Sequence, residues 1–116
     1  MENEKQVKPE VGTIYLDWSH RFFEVVEVKE SSVVLRAIAS KAIMPAARYG
    51  SFNFTPLMPC PGQYVPVVVN GEMIIEPFER SFQTWEDYPP YSVLIDNENM
   101  IADIWNGRPT NALVLE

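Results

Sequence analysis

A chain of 116 residues with 47% apolar side chains has the size of one domain and the means to build a core. Its single cysteine excludes an intramolecular disulfide framework, and no apolar run approaches the ~20 residues of a membrane-spanning helix. The net charge of −7 lies wholly in the C-terminal part, because residues 1–71 hold seven acidic and seven basic side chains and residues 72–116 hold nine and two. A nucleic-acid binder needs the opposite excess to displace counterions from phosphates, so direct nucleic-acid binding is not expected.

Residues 1–11 read as a flexible arm, charged, aperiodic and interrupted by Pro9, and residues 12–116 as a single small β-rich domain. The arm has no apolar core segment, so no secretory signal is expected. Gly12 opens the first strand, in which Ile14, Leu16 and Trp18 alternate with Thr13, Tyr15 and Asp17. Phe22–Val28 and Val33–Ile38 should pair as a hairpin across Lys29–Ser32. Glu24 and Glu27 fall on opposite faces of their strand, so at least one face meets water. Ala39, Lys41, Ala42 and Ile43 favour a short helical turn over Ala39–Ala47, limited by Pro45. From Met44 to Gln63, Pro45, Gly50, Pro56, Pro59, Pro61 and Gly62 predict a long irregular connection that carries Arg48, Tyr49, Phe52 and Phe54.

Asn70-Gly71 is the clearest local signal. It predicts a type I′ hairpin between Tyr64–Val69 and Glu72–Pro77, pairing Val69 with Glu72, Val68 with Met73 and Val67 with Ile74. Pro66 cannot donate to a ladder, so this strand is an edge or pairs only after Pro66. Phe78, Phe82 and Trp85 stand at i, i+4 and i+7, which favours a short helix or turn over Phe78–Tyr88, although Gln83-Thr84-Trp85 also suits an extended chain. Pro89-Pro90 ends it. A third hairpin joins Tyr91–Ile95 to Met100–Trp105, Asn106-Gly107 makes a turn, and Thr110–Leu115 is a last strand placed at an edge by Pro109. The fold class is therefore mainly β with a minor helical component. Six to eight short strands should form an antiparallel, partly open barrel or curled sheet, nearest to SH3-like barrels.

Chemistry is thinly supported. His20 is the only histidine and reads as a turn residue, and Cys60, between two prolines, has no electropositive setting to activate its thiol. One His and one Cys cannot assemble a zinc site, and Asp96-Asn97-Glu98-Asn99 lacks the calcium-loop spacing. No phosphate-binding glycine loop or nucleophile elbow is present. No catalytic residue, metal or cofactor is expected, and the protein is not expected to be an enzyme. Several aromatics sit beside turns, among them Tyr15, Trp18, Tyr88, Tyr91 and Trp105, and small barrels use such rings with acidic neighbours to select basic or proline-rich ligands. Phe52 and Phe54, beside Arg48 and Tyr49, are the candidate anchors. Glu72, Glu76, Glu79, Glu86 and Asp87 form the candidate acidic surface, which otherwise serves solubility.

Ile14-Tyr-Leu-Asp-Trp18, Phe22-Phe-Glu-Val-Val-Glu-Val28, Val34-Leu-Arg-Ala-Ile38 and Ile104-Trp-Asn-Gly-Arg-Pro109 together resemble a pattern in small proteins carried by phages and mobile elements of bacteria. That pattern joins an aromatic strand, a Phe/Tyr-x-Val-Val strand and a late Trp-Asp/Asn-Gly-x-Pro turn. This chain departs from it in the short Trp18-to-Phe22 connection and the Val-rich last strand. The resemblance implies an origin that favours host interaction over metabolism. The leading expectation is a small non-enzymatic module that binds a host protein with a basic surface in the bacterial cytoplasm, without nucleic acid, membrane or cofactor. Three alternatives stay open: an acidic nucleic-acid mimic that inhibits a host defence or nucleic-acid-handling complex, a phage structural component assembling with copies of itself through edge strands, and a hydrolase using Asp17 and His20.

Overall fold

The computed structural model describes residues 8–43, 47–49, 52–96 and 100–114, with side chains except at 47–49, 52–54 and 111–114. All regular structure among them is strand. In chain order these are β1 (Ile14–Asp17), β2 (Phe22–Val28), β3 (Ser32–Ala42), β4 (Ala47–Tyr49), β5 (Phe52–Tyr64), β6 (Val67–Val69), β7 (Glu72–Ile74), β8 (Phe78–Ser81), β9 (Val93–Asp96), β10 (Met100–Ile104) and β11 (Thr110–Val114).

β3 is the hub. One edge pairs with β2 from Ile38↔Phe22 to Val33↔Val28. The other edge pairs with β8 over Ser32–Leu35 and with β5 from Ile38 to Ala42. Beyond β2 the antiparallel sheet continues through β1, β10 and β9, and beyond β5 lies β11. Phe82, just past β8, makes an isolated bridge to Val93 of β9. The sheet thus curls back towards itself and meets at one bridge rather than along a ladder, an open curl rather than a closed barrel.

The β-branched and aromatic run Phe22–Val28 suits a strand buried on both sides at its start. Phe23 and Val25 enter the core with Tyr15, Leu35, Val93 and Ile95. Phe22, pointing the other way, meets the Trp105 ring edge-on at 5.8 Å. After Val25 the register with β3 shifts, leaving Val26 as the extra residue of a β-bulge that increases the local twist. The β6–β7 hairpin is a separate two-stranded sheet with the register Val67↔Ile74, Val68↔Met73 and Val69↔Glu72. Asn70 and Gly71 have φ of 53° and 80°, the positive pair of a type I′ turn. Pairing begins after Pro66, and Val67 and Val69 insert into the core. A Cβ on Gly71 would touch nothing, so Gly71→Ala tests backbone conformation alone. It should cost about 1–2 kcal/mol in urea unfolding with an unchanged m-value.

Several expectations are corrected. No helix forms among the described residues, and the strands number eleven rather than six to eight. The helical turn expected from Ala39 is instead the end of β3, where pairing of Ser40, Lys41 and Ala42 to β5 overrides the modest helix propensity of Ala and Lys, and residues 44–46 of that expectation lie outside the described residues. The Phe78–Tyr88 helix is absent as well. Phe78–Ser81 is β8, and the residues after the Phe82 bridge run through turns. An i, i+4 spacing also fits one face of a strand, since four is a multiple of the strand period, so Phe78 and Phe82 read the same either way. Phe78 packs edge-on against Phe23 at 5.9 Å. The irregular connection expected over Met44–Gln63 is largely β4 and β5. Its prolines are tolerated in part because Pro59 and Pro61 lie beyond Leu57, the last residue that β11 pairs, so β5 serves only one neighbour there.

Other expectations hold. β9 and β10 form the third hairpin, and β11 ends the sheet order with β5 as its partner. Residues 1–7 of the arm lie outside the described residues. At its other end the Gly12 N–H donates to the Val25 carbonyl at 2.8 Å and Thr13 N–H to Glu10 C=O at 2.9 Å. No described helix is long and apolar enough to cross a membrane.

Candidate functional site

The candidate site sits where the loop between β8 and β9 meets the turn after β1. Alternation alone does not tell which side of β1 is inward, and the polar-tipped side is the buried one. Tyr15 and Asp17 are buried, Ile14 and Leu16 half-buried, and Trp18 is 54% exposed. A phenol and a carboxylate can be buried because both find partners.

Asp17 organises the turn that displays Trp18. Its Oδ1 accepts from Ser19 N–H at 3.0 Å, Ser19 Oγ at 2.9 Å and Arg21 N–H at 2.8 Å, and its Oδ2 accepts from Arg21 Nε at 2.7 Å. His20 N–H donates to the Asp17 carbonyl at 3.0 Å, and His20 takes φ of 68°. Arg21 also donates Nη1 to Val68 C=O at 2.8 Å, tying the turn to the β6–β7 hairpin.

The β8–β9 loop is closed at its base by the Phe82–Val93 bridge and by Gln83 N–H donating to Ser92 C=O at 2.8 Å. Tyr15 Oη donates to the Tyr91 carbonyl at 2.6 Å. Tyr91 has φ of 71°, a left-handed conformation that bulky residues rarely adopt. That conformation presents its ring edge-on to Phe82 at 5.1 Å. Burial first, and the Asp103 charge second, push the Tyr15 phenol well above its ordinary titration range. At the other end of the loop, Tyr88 lies between two indoles, 6.0 Å from Trp18 and 5.3 Å from Trp85.

Two cavities flank this row of rings. One, of about 440 Å³, is lined by Phe82, Trp85, Tyr88, Pro90 and Tyr91 with Gln83 and Thr84. The other, of about 320 Å³, lies between Trp18, Pro89 and Trp105 and includes Leu16, Asp17 and Asp103 in its wall. Asp17 is neutralised by Arg21, whereas Asp103 has no Lys or Arg in ion-pair contact among the described residues. Its Oδ1 is 2.5 Å from Ser92 Oγ, which also lies 2.8 Å from Pro89 C=O, so Asp103 is attached to the loop's backbone. Trp105 is set by its Nε1–H donating to Arg108 C=O at 2.7 Å across the Asn106-Gly107 turn.

Of the residues nominated from sequence, Glu86 and Asp87 belong here, exposed on the loop between the lining residues Trp85 and Tyr88. Glu72 and Glu76 are exposed on and just after β7. Glu79, on β8, accepts from Ser32 Oγ and from Lys29 Nζ, the latter at 3.2 Å, which holds its carboxyl below the usual carboxylate range. The nominated acids therefore sit on separate elements, and one of them is neutralised locally. The backbones of Arg48, Tyr49, Phe52 and Phe54 pair in the β4–β5 hairpin rather than lying in an irregular loop, and their side chains lie outside the described residues. Asp17 and His20 are not joined: the carboxylate is saturated as above, and His20 Nδ1 lies 2.7 Å from Thr110 Oγ1. Cys60 is a half-buried free thiol on β5.

Phe82, Trp85 and Asp103 were not singled out as binding residues by sequence reasoning. The available signal was the density of rings around Pro89-Pro90, which has no spacing rule that would assign it to a site. Comparison of the chain with models of protein families, with curated proteins and with solved structures finds no match.

Proposed function

We propose that this protein is a small non-enzymatic interaction module, encoded by a bacterial phage or mobile element, that binds a host protein through the ring-lined face around Tyr88. The observation carrying this reading is Trp18. An indole more than half exposed has no part in the core, yet a saturated buried carboxylate fixes the turn that holds it. Exposed Trp and Tyr on a rigid support are the side chains that dominate binding energy at protein interfaces. The acidic-mimic reading is supported by the charge asymmetry alone, and the partnership of Glu79 with Lys29 weakens it.

The test is chemical crosslinking in host-cell lysate with the wild type and with Trp18→Ala and Trp85→Ala variants. A specific adduct should form with the wild type and fall about tenfold or more in each variant, as expected for hot-spot residues. An adduct pattern indifferent to both changes would sink the reading for this face.

A further inference from the structure

We infer that the two cavities flanking Tyr88 are two subsites of one groove, which takes an extended peptide with a lysine or arginine in one subsite and a proline or other apolar side chain in the other. This rests on the interaction-module reading and deepens it by naming the ligand chemistry of the same face.

The two subsites differ in character. The Trp18–Trp105 cavity has indole walls, and Asp103 faces it without a basic partner among the described residues. Ring faces and a carboxylate together suit a cationic side chain. The Phe82–Trp85–Tyr91 cavity is lined by rings, Pro90 and neutral polar side chains, with no charge among its described lining. It suits a proline or aliphatic side chain. Glu86 and Asp87, exposed on the loop bearing Trp85 and Tyr88, extend the negative potential to the rim.

Spacing supports an extended ligand. Successive ring separations of 6.0 Å and 5.3 Å each match about two residues of a polyproline II strand, which rises ~3.1 Å per residue. The two separations bound the Trp18-to-Trp85 distance from above, and three or four residues of such a strand span that bound, so a peptide with a cation three or four residues from a proline can reach both subsites. Preformed polyproline II segments lose little entropy on docking into such aromatic grooves. Stacked rings also bind single-stranded nucleic acid, but those sites combine rings with cations that track phosphates. Here the local charges are Asp103, Glu86 and Asp87, which oppose a phosphate chain.

The test uses proline-containing peptides carrying one lysine three or four residues from a Pro-Pro pair, in both orientations. Matched peptides replace lysine with norleucine or glutamate, and tetramethylammonium serves as a free-cation control. Binding is followed by tryptophan fluorescence and by indole 15N–1H shifts. The lysine peptide should bind at least about tenfold tighter than the norleucine peptide and shift the Trp18, Trp85 and Trp105 signals together. Asp103→Asn should bring the ratio of lysine-peptide to norleucine-peptide affinity to about one, and an unchanged indole 15N–1H spectrum of the free variant reports an intact groove. A Glu86→Gln/Asp87→Asn double variant should narrow the lysine preference without touching the Ser92 contact. Trp85→Ala should weaken both peptides equally.

Equal binding of lysine and norleucine peptides, preference for glutamate, or tetramethylammonium binding as tightly as the peptide would overturn the inference. So would the absence of peptide binding. If Trp18-dependent crosslinking survives any of these results, the interaction-module reading stands while the peptide assignment falls. Peptide binding without a host adduct would separate them in the other direction.

Discussion

Arg21→Ala is expected to destabilise the protein by about 3–5 kcal/mol, the cost of leaving a buried carboxylate without its counter-charge. The Asp17 side chain is 0% exposed, and Arg21 Nε supplies the hydrogen bond to Oδ2 at 2.7 Å. The remaining donors, Ser19 and the Arg21 backbone, all converge on Oδ1. Truncating Arg21 also removes the link to Val68 C=O and the guanidinium lying 5.7 Å from the centre of the Phe23 ring. Because the cost comes mainly from the stranded charge, Asp17→Asn added to Arg21→Ala should recover part of the loss. Urea denaturation of the two single variants and the double variant gives the coupling directly. A loss below about 1 kcal/mol for Arg21→Ala would mean that solvent or local donors already compensate Asp17. The pair also matters for binding, since it fixes the turn that presents Trp18.

Alkaline pH should unfold the protein through Tyr15. Its phenol ionises at a higher pH in the folded chain than in the unfolded one, because burial and the Asp103 charge both oppose the phenolate. Below a pH of about 10 both states keep the proton and the group contributes no pH dependence. Above it the unfolded chain releases the proton while the folded chain retains it, so stability falls with rising pH by about 1.4 kcal/mol per unit until the folded group also titrates. Tyr15→Phe should remove this slope. At neutral pH the same change leaves the Tyr91 carbonyl without its buried donor, at a cost of about 1–3 kcal/mol. Thermal melts of both proteins between neutral and alkaline pH test the two effects together. An identical alkaline slope in Tyr15→Phe would place the sensitivity elsewhere. Since Tyr91 carries a left-handed backbone, losing the Tyr15 bond should also loosen the loop that holds Phe82, Trp85 and Tyr88.

Both predictions concern buried polar atoms of β1 that support the exposed Trp18 and the half-buried Tyr91. Asp17 fixes the turn that holds Trp18 at one end of the aromatic row, and Tyr15 holds Tyr91 in the wall of the cavity that Trp85 and Tyr88 also line. The scaffold strand and the candidate site are thus mechanically continuous, although their sequence positions are far apart.

By itself the sequence determined the features that depend on near neighbours. Asn70-Gly71 specified its turn type and the register of Val67–Val69 against Glu72–Ile74, because only residues tolerant of positive φ fit a two-residue hairpin. Alternating and β-branched runs specified a mainly antiparallel β fold and the pairing of β2 with β3. Tertiary structure decided what nearest neighbours leave open. The C-terminal end of Ser32–Ala42 is strand because β5 pairs with it, whatever the preference of its Ala and Lys residues. Phe78 and Phe82 satisfy both periods, and β3 and β9 chose the extended one. Asp17 is inward because Arg21 and Ser19 satisfy it. The row Trp18–Tyr88–Trp85 exists only because the loop before β9 folds over the turn after β1, a juxtaposition of residues distant in the chain that no local pattern encodes.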